Sequence, residues 1–311
     1  MTHHAAPAFL TRACALVVGA GIGYAAWSYE RDLNVRRPPV LGVRAAETSH
    51  RRGPATRVVR VVVEGLRLDA SRAMPVLNRL RSEGADVAVR AEFPTYSGPN
   101  FVAQASGIEP ASSGVQTNEY PWEVRLDSVF RRAKLAGLRT AVLTTESDPH
   151  VGRPYASWTD ETHFDDADLT LPPAELVFAH IGYVDAAAHA SGAASRAYRA
   201  AVDRADGAIA RITGGLDPAR DALVVTSDHG NLDRGGHGGA ERSVVRIPVV
   251  VWGPGAVRRT GVGRGRDVGP TIASLLGIGP LSHATGRPLV RGDASTARER
   301  RERRGERGRD E

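Results

Sequence analysis

The chain has 311 residues, of which 41% are apolar and 24% are charged, as expected of a soluble globular protein with one large α/β domain or two small ones. Of its net charge of +6, residues 1–56 carry +4 and residues 291–311 carry +2, so residues 57–290 are neutral and offer no basic face for nucleic acid. The single cysteine, Cys14, excludes intrachain disulfides and thiolate metal sites, which leaves carboxylates, imidazoles and hydroxyls as possible metal ligands.

The N-terminal segment contains an uncharged run, Ala13–Tyr29, that directly follows Arg12. Its length is near the minimum of about 17 residues for a membrane-spanning helix. We interpret residues 1–29 as a signal-anchor or signal peptide and residues 30–56, rich in Arg and Pro, as a linker. The chain is therefore expected to be membrane-anchored through this segment or exported, with its catalytic domain outside the cytoplasm.

Three glycines in the same run, Gly19, Gly21 and Gly23, partly match a dinucleotide-binding fingerprint. The match is poor because Tyr24 occupies the last glycine position and no strand precedes the run.

Predicted strands and helices alternate along residues 57–290. The predicted strands are Val58–Val63, Val87–Ala91, Thr140–Thr144, Leu176–Ile181, Leu223–Thr226 and Ile247–Trp252. The predicted helices are one through Leu77 and Leu80 that ends at Gly84, then 98–106, Leu126–Ala136, Ser195–Ile212 and Pro270–Leu276. This pattern predicts an α/β fold with a doubly wound, mostly parallel central sheet and helices on both faces. Residues 291–311 are expected to be disordered or a solvated helix.

Acidic and histidine side chains follow several of the predicted strands. In doubly wound sheets, ligands bind beyond the carboxyl ends of the strands. The polar residues expected there, or in the Gly-Gly-His-Gly-Gly loop, are Glu64, Asp185, His189, Asp228, His229 and His237. Each alone could serve as a turn, a cap or a surface histidine, but three oxygen and three nitrogen donors together suit zinc or a similar divalent ion.

A turn at residues 93–100 places Ser97 just before a predicted helix. Free N–H groups and the helix dipole favour an anion such as phosphate at this position. Serine is also a common N-cap residue, so the sequence pattern leaves both roles open.

Several motifs resemble those of the alkaline phosphatase superfamily. Residues 64–69 resemble the D-G-L-R-x-D motif of its phosphodiesterases, and residues 94–100 resemble the P-T-x-[TS]-x-P-N nucleophile turn of nucleotide pyrophosphatase/phosphodiesterases. Residues 180–189 are similar to the H-x-x-x-x-D-x-x-x-H segment of GPI ethanolamine-phosphate transferases. Residues 226–230 are similar to both groups, and residues 267–286 match the closing D-x-x-P-T…L-L-G…G pattern. The resemblance covers nearly all of residues 57–290, which we interpret as the catalytic domain with a minimal cap.

This resemblance implies a site with two divalent metal ions, Zn²⁺ or Mn²⁺. The first ion would be bound by Asp185, His189 and His237. The second would be bound by Glu64, Asp228, His229 and the oxygen of Ser97. Ser97 would be the nucleophile that forms a phospho-serine, and Asn100 would donate to a phosphoryl oxygen.

One residue departs from the family pattern, because Glu64 stands where the family has Asp. The carboxylate is kept but its reach grows by one methylene, so the geometry of the second metal site is expected to differ. We expect Glu64 to remain a ligand, Glu64→Ala to lower metal occupancy, and Glu64→Asp to preserve or raise it. The alternative is that Glu64 turns towards solvent or Arg67.

The functional expectation is a phosphoric-ester hydrolase, either a phosphodiesterase or a phosphatase, acting on a small-molecule or lipid-linked phosphoester. Two alternatives stay open: a membrane-associated phosphoethanolamine-type transferase, and a catalytically decayed binding protein on the same fold. A sulfatase is rejected because Phe101 stands where its nucleophile turn requires Arg. A cofactor-independent phosphoglycerate mutase is rejected because this chain has no room for the large inserted domain.

Overall fold

The computed structural model describes residues 6–35, 52–146, 149–165, 169–257 and 259–290. The predicted C-terminal tail and most of the predicted linker lie outside these ranges. The described helices are α1 Ala6–Val35, α2 Pro75–Glu83, α3 Ser97–Ser106, α4 Pro110–Ser113, α5 Val129–Leu135, α6 Pro149–Gly152, α7 Tyr183–Ser191, α8 Arg196–Gly214, α9 Arg242–Val245 and α10 Val268–Leu276. The described strands are β1 Arg57–Val63, β2 Ala85–Arg90, β3 Thr140–Thr144, β4 Glu161–Phe164, β5 Leu176–Ile181, β6 Asp221–Thr226, β7 Arg246–Trp252 and β8 Arg259–Arg264.

The strands form one sheet in the order β4-β3-β5-β1-β6-β7-β2-β8. The strand β1 lies between β5 and β6 and is parallel to both. The strand β7 is antiparallel to its neighbours β6 and β2, and the other pairings are parallel. The prediction of a mostly parallel α/β sheet is therefore confirmed.

Helices cover both faces of this sheet, and the side chains of β1 are buried on both faces. Its residues alternate between two cores, because successive side chains of a strand point to opposite faces. Val58 and Val62 pack with residues of α3, α5 and α10, among them Phe101. Val59 and Val61 pack with residues of α2, α7 and α8 on the other face. With both faces buried, β1 is an almost continuous run of valines.

The sequence pattern missed both edge strands, β4 and β8. The strand β4 has four residues, mostly exposed, so it shows no apolar run. The strand β8 contains two glycines and the 80% exposed Val262, so it lacks the apolar run that marks a buried strand. The predicted helix Leu126–Ala136 is also shorter, since the Ser128 side chain accepts from Arg131 N and caps α5 there.

The N-terminal run predicted as a signal-anchor lies within α1. In the described part of the chain, no helix combines the length and the apolar character needed to cross a membrane. The transmembrane interpretation of Ala13–Tyr29 is therefore not confirmed. Gly19, Gly21 and Gly23 lie inside this helix, which rules out a strand–turn–helix nucleotide fingerprint there.

Candidate metal centre and nucleophile

Glu64 follows the last residue of the central strand β1 and is 6% exposed. Its backbone N–H donates to Ile181 O at 2.9 Å, which continues the ladder to β5 by one residue. The chain then turns at Gly65, whose φ of +71° is a left-handed conformation. A Cβ at this position would lie 2.5 Å from Asp185 Oδ1, so only glycine fits between β1 and the acidic site.

Ser97 is the first residue of α3 and is 2% exposed. The N-cap position belongs to Tyr96, which makes no side-chain cap hydrogen bond. Ser97 Oγ donates to Glu64 Oε1 at 2.6 Å and lies 3.1 Å from His229 Nε2. The hydroxyl is therefore directed into the acidic site and does not cap its own helix.

Asp228 and His229 follow β6 and are completely buried. Asp228 Oδ1 accepts from Gly65 N at 3.1 Å. Asp228 Oδ2 lies within ion-pair distance of His229 Nε2, at 3.1 Å, yet it has no hydrogen-bond partner among the described residues. His229 Nδ1 lies 3.1 Å from Gly230 O, so this nitrogen donates to the carbonyl and Nε2 faces the carboxylates. Ligand atoms of Glu64, Asp228 and His229 all lie within 4.8 Å of one another.

A second group comes from α7 and the glycine-rich loop. Asp185 and His189 are four residues apart on α7, with Asp185 Oδ2 and His189 Nε2 separated by 3.1 Å. His237 Nε2 lies 3.1 Å from His189 Nε2 and 3.9 Å from Asp185 Oδ2. His237 Nδ1 donates to Thr95 O at 2.8 Å, which again leaves Nε2 directed at the site. Asn231 Nδ2 holds Asp185 Oδ1 at 2.7 Å.

The two groups form one continuous site. The rings of His229 and His237 stack with centroids 3.7 Å apart and an interplanar angle of 16°. Ligand atoms of Asp185, His229 and His237 also lie within 4.8 Å of one another, so His229 is close to both groups. The six predicted metal ligands and Ser97 are thus brought together, while the division between two ions remains a prediction.

The carboxylates of the site have opposite pKa shifts. Burial raises the pKa of Glu64, and the hydrogen bond with His180 offsets this only in part. Burial also acts to raise the pKa of Asp185, but the hydrogen bond with His189 and the charge of His229 outweigh it and lower that pKa.

The pKa values of His229 and His237 are also shifted in opposite directions. Burial acts to lower the pKa of His229, but the negative charge of Asp228 outweighs burial and raises that pKa to about 9. Burial and the neighbouring charge of His229 lower the pKa of His237. A cation that binds His229 must therefore displace a proton at neutral pH.

These residues fit a divalent cation. Within the described ranges, the buried Oδ2 of Asp228 has only the ion-pair contact with His229, and a buried carboxylate oxygen is costly unless a cation or a donor meets it. The Nδ1 atoms of His229 and His237 are each held by a backbone carbonyl, which orients Nε2 as a ligand. The mixed oxygen and nitrogen donor set suits Zn²⁺ or Mn²⁺.

Asn100 lies apart from the role expected for it. Its Oδ1 accepts from Glu92 N at 2.8 Å, and its Nδ2 lies within hydrogen-bond distance of the carbonyls of Glu92, Pro94 and Tyr96. Its amide therefore holds the turn before α3 together and is not directed at the Ser97 oxygen.

Two polar residues near Ser97 and Glu64 were missed by sequence reasoning. Asn118 is half-buried, and its Oδ1 accepts from Gly98 N at 2.8 Å, directly beside the Ser97 turn. His180 is fully buried, and its Nε2 lies 2.6 Å from Glu64 Oε2. A signal for His180 was present, since it is the one polar residue of an otherwise apolar strand, β5.

Two family models match consecutive parts of the chain. The model described as Type I phosphodiesterase / nucleotide pyrophosphatase matches residues 58–137, and the model described as Metalloenzyme superfamily matches residues 165–280. The fold is similar to that of murine ectonucleotide pyrophosphatase / phosphodiesterase 5, with a TM-score of 0.61, 14% identity, and coverage of 73% of this chain and 96% of that one.

These matches show that the chain is similar to members of the alkaline phosphatase-like superfamily. Among curated relatives, GPI ethanolamine phosphate transferase 1 of Mus musculus is 26% identical, with 65% of this chain and 27% of the relative covered. The 2,3-bisphosphoglycerate-independent phosphoglycerate mutase of Cronobacter sakazakii is 28% identical, with 40% of this chain and 23% of the relative covered. The chain thus spans about a quarter of the length of these curated relatives.

Proposed function

We propose that this protein is a metal-dependent phosphoric-ester hydrolase of the phosphodiesterase or phosphatase type, with Ser97 as its nucleophile. The observation that carries the proposal is the 2.6 Å hydrogen bond from Ser97 Oγ to Glu64 Oε1, made inside a buried group of carboxylates and imidazoles. The hydroxyl oxygen of a serine that only capped a helix would accept a hydrogen bond from a backbone N–H group of the first turn.

The proposed ligands form two sets, one of Asp185, His189 and His237 and one of Glu64, Asp228 and His229. His229 is close enough to both sets to belong to either. When bound, divalent cations would lower the pKa of the Ser97 hydroxyl and neutralise charge on the phosphoryl oxygens. The N-terminus of α3 adds a partial positive charge where the phosphoryl group would lie.

The chemistry then divides between two steps. In the first step, Ser97 Oγ loses its proton and forms a bond to phosphorus, the bond from phosphorus to the leaving oxygen breaks, and that oxygen takes up a proton and leaves as an alcohol. In the second step, water attacks phospho-Ser97, the Oγ–P bond breaks, and a proton returns to Oγ. Glu64 Oε1 orients the hydroxyl before the reaction.

The decayed binding protein is disfavoured by the position of Glu64. That alternative required this carboxylate to have turned towards solvent or Arg67. Glu64 is buried against Ser97, whereas Arg67 pairs with Asp69 and Asp233. The departure from the family's Asp therefore does not remove a carboxylate from the site.

Transfer to an alcohol is the second candidate, favoured by the similarity to GPI ethanolamine phosphate transferase 1. In that case an acceptor alcohol would replace water in the second step. Residues 1–29 remain candidates for an export signal, and the substrate would then be an extracytoplasmic small-molecule or lipid-linked phosphoester.

The test is metal analysis of the purified full-length chain, followed by turnover of a panel of p-nitrophenyl mono- and diesters. We expect bound Zn²⁺ or Mn²⁺, metal-dependent release of p-nitrophenol, and an acid-quenched peptide that carries the phosphoryl group on Ser97. Adding ethanolamine or glycerol separates the candidates, since a transferase would form the acceptor's phosphoester. The proposal would be refuted if the metal-loaded protein hydrolysed none of these esters and acquired no phosphoryl group on Ser97.

A further inference from the structure

His180 occupies the next to last position of β5 and is fully buried. The rings of Phe101 and Phe178 meet its imidazole edge-on, with centroids 5.6 and 6.3 Å away. These contacts fix the plane of the ring, because close-packed aromatic neighbours leave little room for another rotamer.

Both ring nitrogens of His180 have specific partners. Nδ1 lies 3.0 Å from Thr144 Oγ1, a residue of β3 that is paired with His180 in the sheet register. Nε2 lies 2.6 Å from Glu64 Oε2. The imidazole therefore bridges a hydroxyl on the neighbouring strand and the carboxylate at the end of β1.

Glu64 divides its two oxygens between two partners. Oε1 accepts from Ser97, and Oε2 is held by His180. A carboxylate held at both oxygens cannot rotate, so it keeps a defined direction within the group that Glu64 forms with Asp228 and His229.

We propose that His180 is a positioning residue that holds Glu64 as a metal ligand, and that the longer Glu64 side chain is matched to it. This inference rests on the metal site of the proposed function. An aspartate at position 64 would end about 1.5 Å short, by one C–C bond, and could not meet Ser97 and His180 together. Glu64 is then a functional metal ligand of this site, and its position depends on the contact with His180.

The test compares His180→Gln with His180→Asn in the full-length protein. Both variants bury one polar amide in the same place, but the glutamine amide lies near the former Nε2 and can still donate to Glu64. The asparagine amide lies near Nδ1 and cannot reach the carboxylate. The readout is Mn²⁺ affinity, measured by electron paramagnetic resonance titration, with circular dichroism as the check on folding.

We expect His180→Asn to bind Mn²⁺ about 10–100-fold more weakly than the parent, the usual effect of losing an outer-shell partner of a ligand. His180→Gln should bind more tightly than His180→Asn. His163→Asn serves as the matched control, since His163 is half-exposed on β4 and pairs with Glu161, and it should bind as the parent does.

A double-mutant cycle shows whether the effect passes through Glu64. In a Glu64→Gln background, His180→Asn should weaken Mn²⁺ binding far less than it does alone, because the contact it removes is already altered. Equal Mn²⁺ affinity in the two His180 variants, or an equal loss in both backgrounds, would overturn the inference. A parent protein that binds no Mn²⁺ or Zn²⁺ would instead refute the proposed function.

Discussion

The hydroxyl of Ser97 donates a 2.6 Å hydrogen bond to Glu64 Oε1, across a separation of 33 residues in the chain. Ser97 begins α3 and Glu64 directly follows β1, so this contact joins the helix to the central strand. It also shows that Ser97 does not cap α3, because its hydroxyl is used away from its own helix backbone.

Replacement of Ser97 by alanine should abolish turnover and leave the fold intact. We expect a loss in kcat of at least about 1,000-fold, as for other enzymes that lose their nucleophile. Ser128→Ala is the matched control, because Ser128 caps α5 and does no chemistry. The Ser128→Ala substitution should lower the free energy of unfolding by about 1 kcal/mol, and the variant should keep the parental activity. Steady-state kinetics and denaturant unfolding of both variants check this; near-parental turnover by Ser97→Ala would remove it as nucleophile.

Substitutions of Glu64 should lower metal affinity whichever residue is introduced. Glu64→Ala removes a ligand, so its loss should exceed the about 10–100-fold typical of outer-shell changes. Glu64→Asp, which the family pattern alone led us to expect would be neutral or favourable, should also weaken binding, because the shorter carboxylate cannot meet both Ser97 and His180. Mn²⁺ titration of both variants measures the effect. Parental affinity in Glu64→Ala would mean that the carboxylate is not a ligand.

Asp185→Asn should remove the first metal site and spare the second. We expect the number of bound Mn²⁺ ions per chain to fall by one, since an amide is a weaker ligand for a divalent cation than a carboxylate. Asp233→Asn is the control: Asp233 is an exposed carboxylate that pairs with Arg67, and it should bind metal as the parent does. Equilibrium dialysis with metal analysis counts the ions. An unchanged count in Asp185→Asn would place the first ion elsewhere.

Metal affinity and metal-free stability should depend on pH in opposite directions. The pKa of His229 is raised to about 9 in the metal-free fold, from 6.5. The stabilisation from its protonated form is complete below about 6.5 and is lost as the pH rises through about 9. Over the same range Mn²⁺ affinity should rise, because less proton has to be displaced.

Thermal melts of the chelator-treated protein and Mn²⁺ titrations at several pH values measure both trends. His229→Gln should flatten the trend in the melting temperature. A metal-free melting temperature that rose between pH 6.5 and 9 would contradict the prediction.

Gly65→Ala should disturb the site beyond the usual cost of a left-handed residue. The new Cβ would meet Asp185 Oδ1 and Asn231 Nδ2, each at 2.5 Å. Gly137→Ala is a matched control, since Gly137 has a similar positive φ of +76° but no heavy atom within 4 Å of an added Cβ. Both variants should lose about 1–2 kcal/mol through backbone strain. Only Gly65→Ala should also lose metal affinity, and equal affinity in the two variants would argue against the crowding at Gly65.

The sequence alone determined the type of fold and the residue types of the site. Buried parallel strands are apolar runs, so β1, β5 and β6 were visible, and polar residues directly after them had to lie at one edge of the sheet. Glu64, Asp185, Asp228 and His229 were found in this way. The edge strands β4 and β8 were not, because an edge strand is only partly buried and needs no apolar run.

Only the tertiary structure decided which side chains meet. That His180 holds Glu64 follows from the register of β5 against β1 and from the rotamers that Phe101 and Phe178 allow. The local sequence pattern contains neither the register nor the rotamers, so it could not show that His180 contacts Glu64. The same holds for Asn100, because its place in a motif could not show that backbone groups of its own turn already contact its amide; its role towards a phosphoryl group stays a prediction.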